Sequence, residues 1–325
     1  MALVSSVLRL AAVWLLLTGV SACTPPPDGA APAAPVTAAG PATVADGSAP
    51  TLEELQSATY HGVGEAGGPF TLTGGRWEGK SVAPGAASVP SVAFLQDFRM
   101  AGDLDSDGRD EAVVLLAAGT GGTGEVSYLA VVGRSGGQVV NRATAAVGDR
   151  VQLRDARIEG RRIVLSVVQA GDQDPMCCPG DLVTRSWELD AGGLKEVASI
   201  VTGRLSLETL AGTEWVLRAW ARDEPAPATP EVTLKLDGSN LAGSAGCNGY
   251  FAGVKAGPQP GDLQIGAVGT TRMMCPDPEM AVEVRFLRQL EGVKQMRFVA
   301  GQLGLAYTEK DGTSGTRLFG RRSSQ

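Results

Sequence analysis

Short apolar runs separated by glycine-rich turns dominate the hydrophobic pattern from residue 51 onward. They cover residues 112–116, 128–132 and 163–168 in the first half of the chain, and 215–220, 232–236 and 295–299 in the second. Runs of this length, rich in Val, Ile, Leu and aromatic residues, are typical of strands. Residues 231–236 alternate between polar and apolar side chains, which is typical of a strand with one buried face. The pattern predicts strand-rich structure in both halves.

Helical spacing is clear in one segment. Asp277 can cap this helix, Pro278 suits its first position and Gly292 can end it. Four apolar side chains recur at helical spacing and are predicted to face a sheet: Val282, Phe286, Leu287 and Leu290. A second, shorter helix is predicted within residues 52–60.

The length of the chain after residue 50 predicts two domains, because about 275 residues are many for a single domain. We place them at residues 51–200 and 205–321. Residues 23–50 consist almost entirely of Ala, Pro, Gly, Thr, Ser and Val. Such a composition cannot bury a core, so this segment is predicted to be a disordered tether. The predicted fold class is α+β, with two strand-rich domains.

The N-terminal residues are predicted to be a processing signal. The apolar run from Leu10 to Val20 is too short to span a hydrocarbon layer of about 30 Å. It ends in Val20-Ser21-Ala22-Cys23, which resembles the lipobox of bacterial lipoproteins. The resemblance implies that residues 1–22 are a cleaved signal peptide and that the thiol of Cys23 carries diacylglycerol, with palmitate among the acyl chains. The alternative is an ordinary secretory signal followed by an incidental cysteine.

Lipidation implies a location in the cell envelope, since two or three acyl chains hold a protein stably on a membrane. Thr24 follows the cysteine, where an Asp would signal retention at the inner membrane in Gram-negative lipoproteins. We therefore expect the outer membrane, facing the periplasm. The net charge is −7 and basic residues do not cluster. This argues against nucleic acid as a partner and against an electrostatic grip on anionic lipid.

The cysteines indicate disulfides. The chain has five, and lipidation of Cys23 leaves an even number in an oxidising compartment. Pairing within domains predicts a Cys247–Cys275 bond, which closes a loop of about 28 residues and contributes roughly 3 kcal/mol. Cys177 and Cys178 are adjacent, so they can bond only through an eight-membered ring, and their pairing stays open.

Copper is the alternative for these cysteines. The clusters Met176-Cys177-Cys178 and Met273-Met274-Cys275 offer thiolate and thioether ligands, which suit Cu(I). Against this, the chain has no CxxC or CxxxC spacing, and its one His cannot build an imidazole site.

The segment from Asp103 to Glu111, DLDSDGRDE, places carboxylates at alternate positions with Gly108 at the turn. Calcium prefers six to eight oxygen ligands. The EF-hand pattern begins here but fails at its twelfth position, which is Val114, and an apolar strand follows instead of a helix. The segment resembles the calcium loops of FG-GAP and integrin-type repeats, D-x-D-x-D-G-x-x-D. That resemblance implies these ligands: Asp103, Asp105, Asp107, the backbone carbonyl of Arg109, and Glu111. The alternative is a solvated acidic turn without an ion.

Three motifs follow one another in the second half. They are LAGTEWVL at 210–217, GSAGCNGY at 243–250 and TTRMMCP at 270–276, and the helix beginning near Asp277 comes next. In this order they resemble the META domain, also called HslJ-like, over about residues 207–321. The resemblance implies a small α+β fold with antiparallel strands around one main helix, cell-envelope location and no established activity. The bacterial namesake is linked to stress and novobiocin resistance. Cys247 and Cys275 sit at the usual cysteine positions of the family, and Asn248 and Arg272 belong to its motifs.

Catalytic motifs are missing from the sequence. His61 is the single histidine, and there is no GxSxG, HExxH or phosphate loop. We therefore predict a non-enzyme: a lipid-anchored envelope protein with a binding, structural or stress-related role toward an unidentified envelope partner. The alternatives are an envelope protein that binds calcium or copper, and a carboxylate-dependent hydrolase.

Overall fold

The computed structural model of the protein describes residues 47–81, 89–119, 124–175 and 177–322. The predicted signal peptide, Cys23, most of the tether and Met176 lie outside these ranges. The described residues belong to one compact unit, which includes most of both predicted domains. In the ranges above, no helix is long and apolar enough to cross a membrane.

The first half is built almost entirely from strands. Its elements are α1 (Leu52–Leu55), β1 (Thr59–Tyr60), β2 (Phe70–Thr71), β3 (Arg76–Glu78), β4 (Ser91–Gly102), β5 (Glu111–Gly119), β6 (Glu125–Ser135), β7 (Gln138–Asp149), β8 (Gln152–Glu159), β9 (Arg162–Gln169), β10 (Asp181–Asp190) and β11 (Gly193–Arg204). The helix predicted within residues 52–60 ends at Leu55, because Thr59 and Tyr60 pair with β2 instead. A capping box between Thr51 and Glu54 begins that short helix.

Two antiparallel sheets pack on each other in the first half. One contains β3 to β7 and the other β8 to β11, and in each sheet neighbours along the chain are neighbours in space. Their facing side chains form a shared core that includes Leu129, Ile163 and Trp187. The hairpin of β1 and β2 forms a separate two-stranded sheet, and with α1 it contributes to a second core on the outer face of the first sheet.

Strand β5 is buried on both faces. Ala112, Val114 and Leu116 belong to the outer core, whereas Val113 and Leu115 belong to the core between the sheets. A strand covered on both sides needs no polar positions, which explains why this run is continuously apolar.

One curled sheet makes up the second half. Its elements are β12 (Glu214–Ala221), β13 (Glu224–Pro225), β14 (Thr233–Asp237), β15 (Asn240–Ser244), β16 (Gly249–Ala256), β17 (Leu263–Thr270), α2 (Asp277–Glu291), β18 (Val293–Val299), β19 (Gln302–Thr308) and β20 (Ser314–Arg321). The strand order is β17-β16-β15-β14-β12-β20-β19-β18, with β13 paired to β12.

The two ends of this order meet. A bridge between Asp262 and Gln295 links them, and Met296 donates its backbone N–H to the carbonyl of Gly261 at 2.7 Å. The ring of Phe286 on α2 meets Tyr250 on β16 edge-on, with centroids 5.1 Å apart. Because the sheet bends around α2, a single helix is enough to fill its concave side.

Helix α2 agrees with the sequence prediction except at its start. Phe286 and Leu290 are buried as predicted, and Gly292 caps the C-terminus. The N-cap is Pro276 rather than Asp277, and it has no side-chain hydrogen bond. Asp277 is the first helical residue, where its negative charge favours the helix dipole. With two α-helices in the described ranges, the fold is mostly β and fits the α+β label only loosely.

Candidate functional site

The acidic segment forms the loop between β4 and β5. Asp103 organises it: its Oδ1 accepts the backbone N–H of Ser106 at 2.7 Å, and its Oδ2 accepts that of Gly108 at 3.1 Å. Ser106 and Gly108 both adopt left-handed backbone conformations, with φ of 66° and 81°. Glycine adopts such a conformation without steric cost, so Gly108 permits the tight turn.

Three of the predicted ligands converge. Asp103, Asp105 and Glu111 each offer a carboxylate oxygen, and these atoms lie within 4.8 Å of one another. Glu111 is 2% exposed, and its Oε2 accepts the backbone N–H of Leu104 at 2.9 Å. Burial raises the pKa of Glu111, and the negative charges of Asp105 and Asp107 add to that effect. The arrangement concentrates negative charge around one point.

Asp107 is outside this group of three. Its carboxylate accepts hydrogen bonds from Arg109 through the backbone N–H at 2.9 Å, Nε at 3.1 Å and Nη2 at 2.7 Å. These contacts with Arg109 lower the pKa of Asp107. A second guanidinium, that of Arg142, donates to Asp105 at 2.7 Å. Arg142 therefore balances part of the negative charge that a bound cation would otherwise balance.

Asn248 joins two of the motif segments, GSAGCNGY and TTRMMCP, to helix α2. Its Nδ2 donates to the Met273 carbonyl and to Glu283 Oε1, both at 3.1 Å. Its Oδ1 accepts from Thr271 Oγ1 at 2.8 Å and from the Met273 backbone N–H at 2.7 Å. Its backbone N–H donates to the other oxygen of Glu283 at 2.6 Å. Asn248 and Glu283 are both buried, so the amide and the carboxylate satisfy each other away from water.

Both cysteine pairs lie at disulfide distance. Cys247 and Cys275, with Cα atoms 6.0 Å apart, attach the loop before β16 to the segment before α2. Cys177 and Cys178 are bonded as adjacent residues. Arg272, the remaining motif residue, is exposed.

Asp174 holds the loop that carries the adjacent cysteines. Its Oδ2 accepts the backbone N–H groups of Gly171 and Gly180, each at 2.8 Å, and its carboxylate also binds Arg204. The Arg204 guanidinium is the main reason that the pKa of Asp174 falls to about 2. The Asp174 side chain is 3% exposed. Asp174 is thus a buried carboxylate whose charge is balanced by Arg204.

His61 has a structural role in this arrangement. Its Nε2 donates to the backbone carbonyl of Asn141 at 2.8 Å, and its backbone N–H donates to the Asn141 side chain at 3.0 Å. Both bonds attach the segment after β1 to β7, and the Nε2 bond makes Nε2 the protonated ring nitrogen.

Arg317 and Glu283 are buried charged residues that the sequence reasoning missed. Arg317 is 1% exposed, and its guanidinium nitrogens have no hydrogen-bond partner among the described residues. The ring centroids of Trp220 and Tyr307 each lie 4.8 Å from the guanidinium carbon of Arg317. Burial lowers the pKa of Arg317 to about 9. The sequence could have indicated that Glu283 is buried, because it precedes Phe286 by three residues and so lies on the same face of the helix.

The fold and these contacts define an antiparallel, mostly β protein whose motif residues fasten segments together. Comparison with known proteins agrees for the second half: the family model of the META domain matches residues 208–318. This supports the resemblance seen in the sequence there. The META family is not known as catalytic.

Solved structures and curated proteins add little. The chain is similar to a protein from Burkholderia xenovorans solved by NMR, with 27% identity over 36% of this chain and 86% of that one, and a TM-score of 0.28. No curated protein matches the chain.

Proposed function

We propose that this protein is a lipid-anchored protein of the bacterial cell envelope whose META domain has a non-catalytic binding or structural role. The observation that carries the proposal is the Asn248 network inside the matched region. Its hydrogen bonds and the Cys247–Cys275 disulfide are directed at the protein itself. A catalytic group would instead be directed toward a space that substrate can enter.

The lipid anchor and the outer-membrane location remain proposals that rest on the lipobox resemblance around Cys23. Metabolic labelling with an alkyne analogue of palmitate, in the native host, tests the anchor. The full chain is expected to incorporate label and to fractionate with the outer membrane, and Cys23→Ser is expected to lose both. A Cys177→Ser, Cys178→Ser variant is the matched control and should keep the label. Unlabelled full chain would overturn the anchor.

The role of the domain is tested by deletion and complementation. We expect a strain lacking the protein to be more sensitive to novobiocin and to other envelope stress, and the wild-type chain to restore resistance. Because the proposed role is structural or binding, Arg272→Gln, at an exposed position, should restore it as well. Asn248→Ala, which opens the network, should not. Equal growth of deleted and complemented strains would contradict the envelope role.

We further propose that the Asp103 loop binds calcium. The convergence of Asp103, Asp105 and Glu111 favours this, since oxygen ligands grouped around one point suit that ion. Asp107 is expected to contribute less than the FG-GAP resemblance implies, because Arg109 already binds its carboxylate.

Calorimetry and thermal melting of the chelator-treated full chain test the calcium proposal. Excess calcium is expected to release or absorb heat and to raise the melting temperature, with a weaker effect of magnesium. Asp105→Asn should abolish the shift, while Asp107→Asn should retain most of it. Arg142→Gln should strengthen binding, because the ion otherwise competes with that guanidinium. No heat and no shift in excess calcium would reject the site.

Two other functions have weaker support. With both cysteine pairs at disulfide distance, the second cluster offers copper only thioether ligands, those of the exposed Met273 and Met274.

A hydrolase would need carboxylates in a cavity that are not already bonded within the chain. A cavity of about 540 Å³ at the junction of the two halves contains one, Glu125. Another cavity, of about 500 Å³, is lined by three carboxylates, those of Glu291, Glu309 and Asp311. Each already has a partner: Glu309 is paired with Arg288 at 2.6 Å, Glu291 with Lys310 at 3.8 Å, and Asp311 accepts the backbone N–H of Thr313 at 2.9 Å.

A further inference from the structure

The cavity of about 540 Å³ lies where the first half meets the curled sheet. Hydrogen bonds between the two halves hold both of its sides. Phe298 donates its N–H to the Gln152 side chain at 2.9 Å, and Gly301 donates to the carbonyl of Leu153 at 3.0 Å. Leu205 donates to the carbonyl of Gly180 at 2.7 Å. The walls are therefore held in place without a ligand, as is usual for small-molecule sites of this volume.

The inner lining of this cavity is apolar and buried. It comes from both halves of the protein, and each of these side chains is at most 8% exposed: Leu115, Leu153, Met296, Phe298 and Leu318. The Cys177–Cys178 disulfide completes one wall, with Cys178 buried and Cys177 exposed. Sulfur is soft and polarizable, so this wall favours contact with an apolar body over contact with water.

The charged lining is predominantly positive. Arg150, Arg222 and Arg297 line the cavity, against the single carboxylate of Glu125. Arg297 donates to Thr316 at 2.8 Å, which orients its guanidinium. Arg222 is exposed and has no ion pair in the ranges that the structure describes. Arg150 is already paired with Asp149, so Arg222 and Arg297 supply the positive field that attracts an anion here, on a chain whose net charge is −7.

We propose that this cavity binds a small carboxylate with an apolar body, an aryl or acyl acid. The apolar body would lie against the leucines, Met296 and Phe298, where burial of its surface is favourable. The carboxylate would meet Arg222 and Arg297, because guanidinium groups bind carboxylates through charge-assisted hydrogen bonds. This inference gives the binding role proposed above a ligand class, but it does not depend on the lipid anchor or on calcium.

Binding of 2-naphthoate to the full chain in phosphatidylcholine nanodiscs tests this proposal, with empty nanodiscs as the blank. The neutral 2-naphthamide and the cationic 2-naphthylmethylammonium share the apolar body and differ in charge. We expect saturable binding of naphthoate, about tenfold tighter than that of the amide, because one charge-assisted hydrogen bond is worth about that factor. The cation should bind weakest.

Substitutions of the cavity arginines test whether naphthoate binds in this cavity. Arg222→Gln combined with Arg297→Gln is expected to weaken naphthoate binding about tenfold and to leave amide binding unchanged. Arg222→Gln alone should give part of that loss, and it serves if the double variant fails to fold, because Arg222 is exposed. Arg272→Gln removes an equally exposed charge outside the cavity and should change nothing. Three outcomes would each overturn the proposal: no binding above the blank, equal affinity for acid and amide, or an equal loss in Arg272→Gln.

Discussion

Two polar clusters in this protein solve the problem of burying polar groups in opposite ways. At the Asp103 loop, three carboxylates face one another, and the hydrogen bonds that hold the loop come mainly from its own backbone. At Asn248, one neutral amide donates to a carboxylate and to a backbone carbonyl and accepts from two donors, which joins three segments, and a disulfide connects the same segments. The first cluster leaves negative charge that a cation can balance, whereas the second is complete. In this protein, polar motif residues therefore indicate a ligand where hydrogen bonds and ion pairs within the chain leave some of their charge unbalanced.

The largest expected effect comes from opening the complete cluster. Asn248→Ala removes the side-chain partner of Glu283 Oε1, of the Met273 backbone and of Thr271 Oγ1, whereas the backbone N–H of residue 248 still donates to Glu283 Oε2. The variant should lower the free energy of unfolding by about 3–5 kcal/mol. Urea denaturation measures this. Asn240→Ala, at an exposed position in β15, is the control and should cost less than about 0.5 kcal/mol. If the two variants lose the same stability, the network is not what fastens these segments.

The disulfides should differ in their contribution to stability. Cys247→Ser with Cys275→Ser opens a 28-residue separation and should cost about 3 kcal/mol, because the unfolded chain regains the entropy of that loop. The matched pair, Cys177→Ser with Cys178→Ser, spans a separation of one residue and has almost no loop to release. Urea denaturation of both variants, each with Cys23 retained, compares them. A larger loss at the adjacent pair would contradict the entropic explanation.

Asp174 offers an intermediate case, a buried charge with an internal counter-ion. Its pKa in the folded protein is about 2, below the usual 3.8. Because the folded pKa is lowered, this stabilisation is fully present above about pH 4 and is lost as the pH falls toward 2. Asp174→Asn should therefore cost about 1–2 kcal/mol at pH 7, because solvent screens the half-exposed Arg204 partner, and much less near pH 2. Unfolding free energies at both pH values test this, with the exposed Asp172→Asn as control. A loss that does not change with pH would exclude the ion pair as its cause.

The smallest expected effect is a gain. Arg317 is a buried cation that packs against aromatic rings and has no hydrogen-bond partner in the described part of the chain. Replacing such a charge with an apolar side chain of similar volume is often neutral or stabilising. We expect Arg317→Met to raise the free energy of unfolding by about 1 kcal/mol, and the exposed Arg218→Met to leave it unchanged. A clear loss in Arg317→Met would mean that the aromatic contacts more than offset the cost of burial.

Local patterns in the sequence predicted the elements well. All six apolar runs lie almost entirely within strands, and α2 lies where helical spacing placed it. The predicted Cys247–Cys275 pair lies at disulfide distance because both residues flank the same end of the second half. The N-cap at Asp277 was wrong, since capping depends on the backbone geometry of Pro276 rather than on side-chain type alone.

Contacts between distant residues were beyond the sequence reasoning. The partners of Asn248 come from 35 residues away on α2 and from the segment after β17. Nothing in the local pattern separates Asp107 from Asp103 and Asp105, because the difference arises when the Arg109 side chain folds back onto Asp107. The cavity at the junction depends on two halves whose relative position no local pattern fixes.

The two-sided burial of β5 has a consequence for strand register. In most strands a shift of one residue would expose apolar side chains, and this penalty selects the correct pairing. In β5 the same shift would only exchange the sets that face the two cores, so polarity does not penalise it. Side-chain size must select instead: Ala112, Val114 and Leu116 differ in size on one face, and Val113 and Leu115 differ on the other. The buried Glu111 at the first position adds a polar marker, because a slipped strand would separate its carboxylate from the Leu104 N–H.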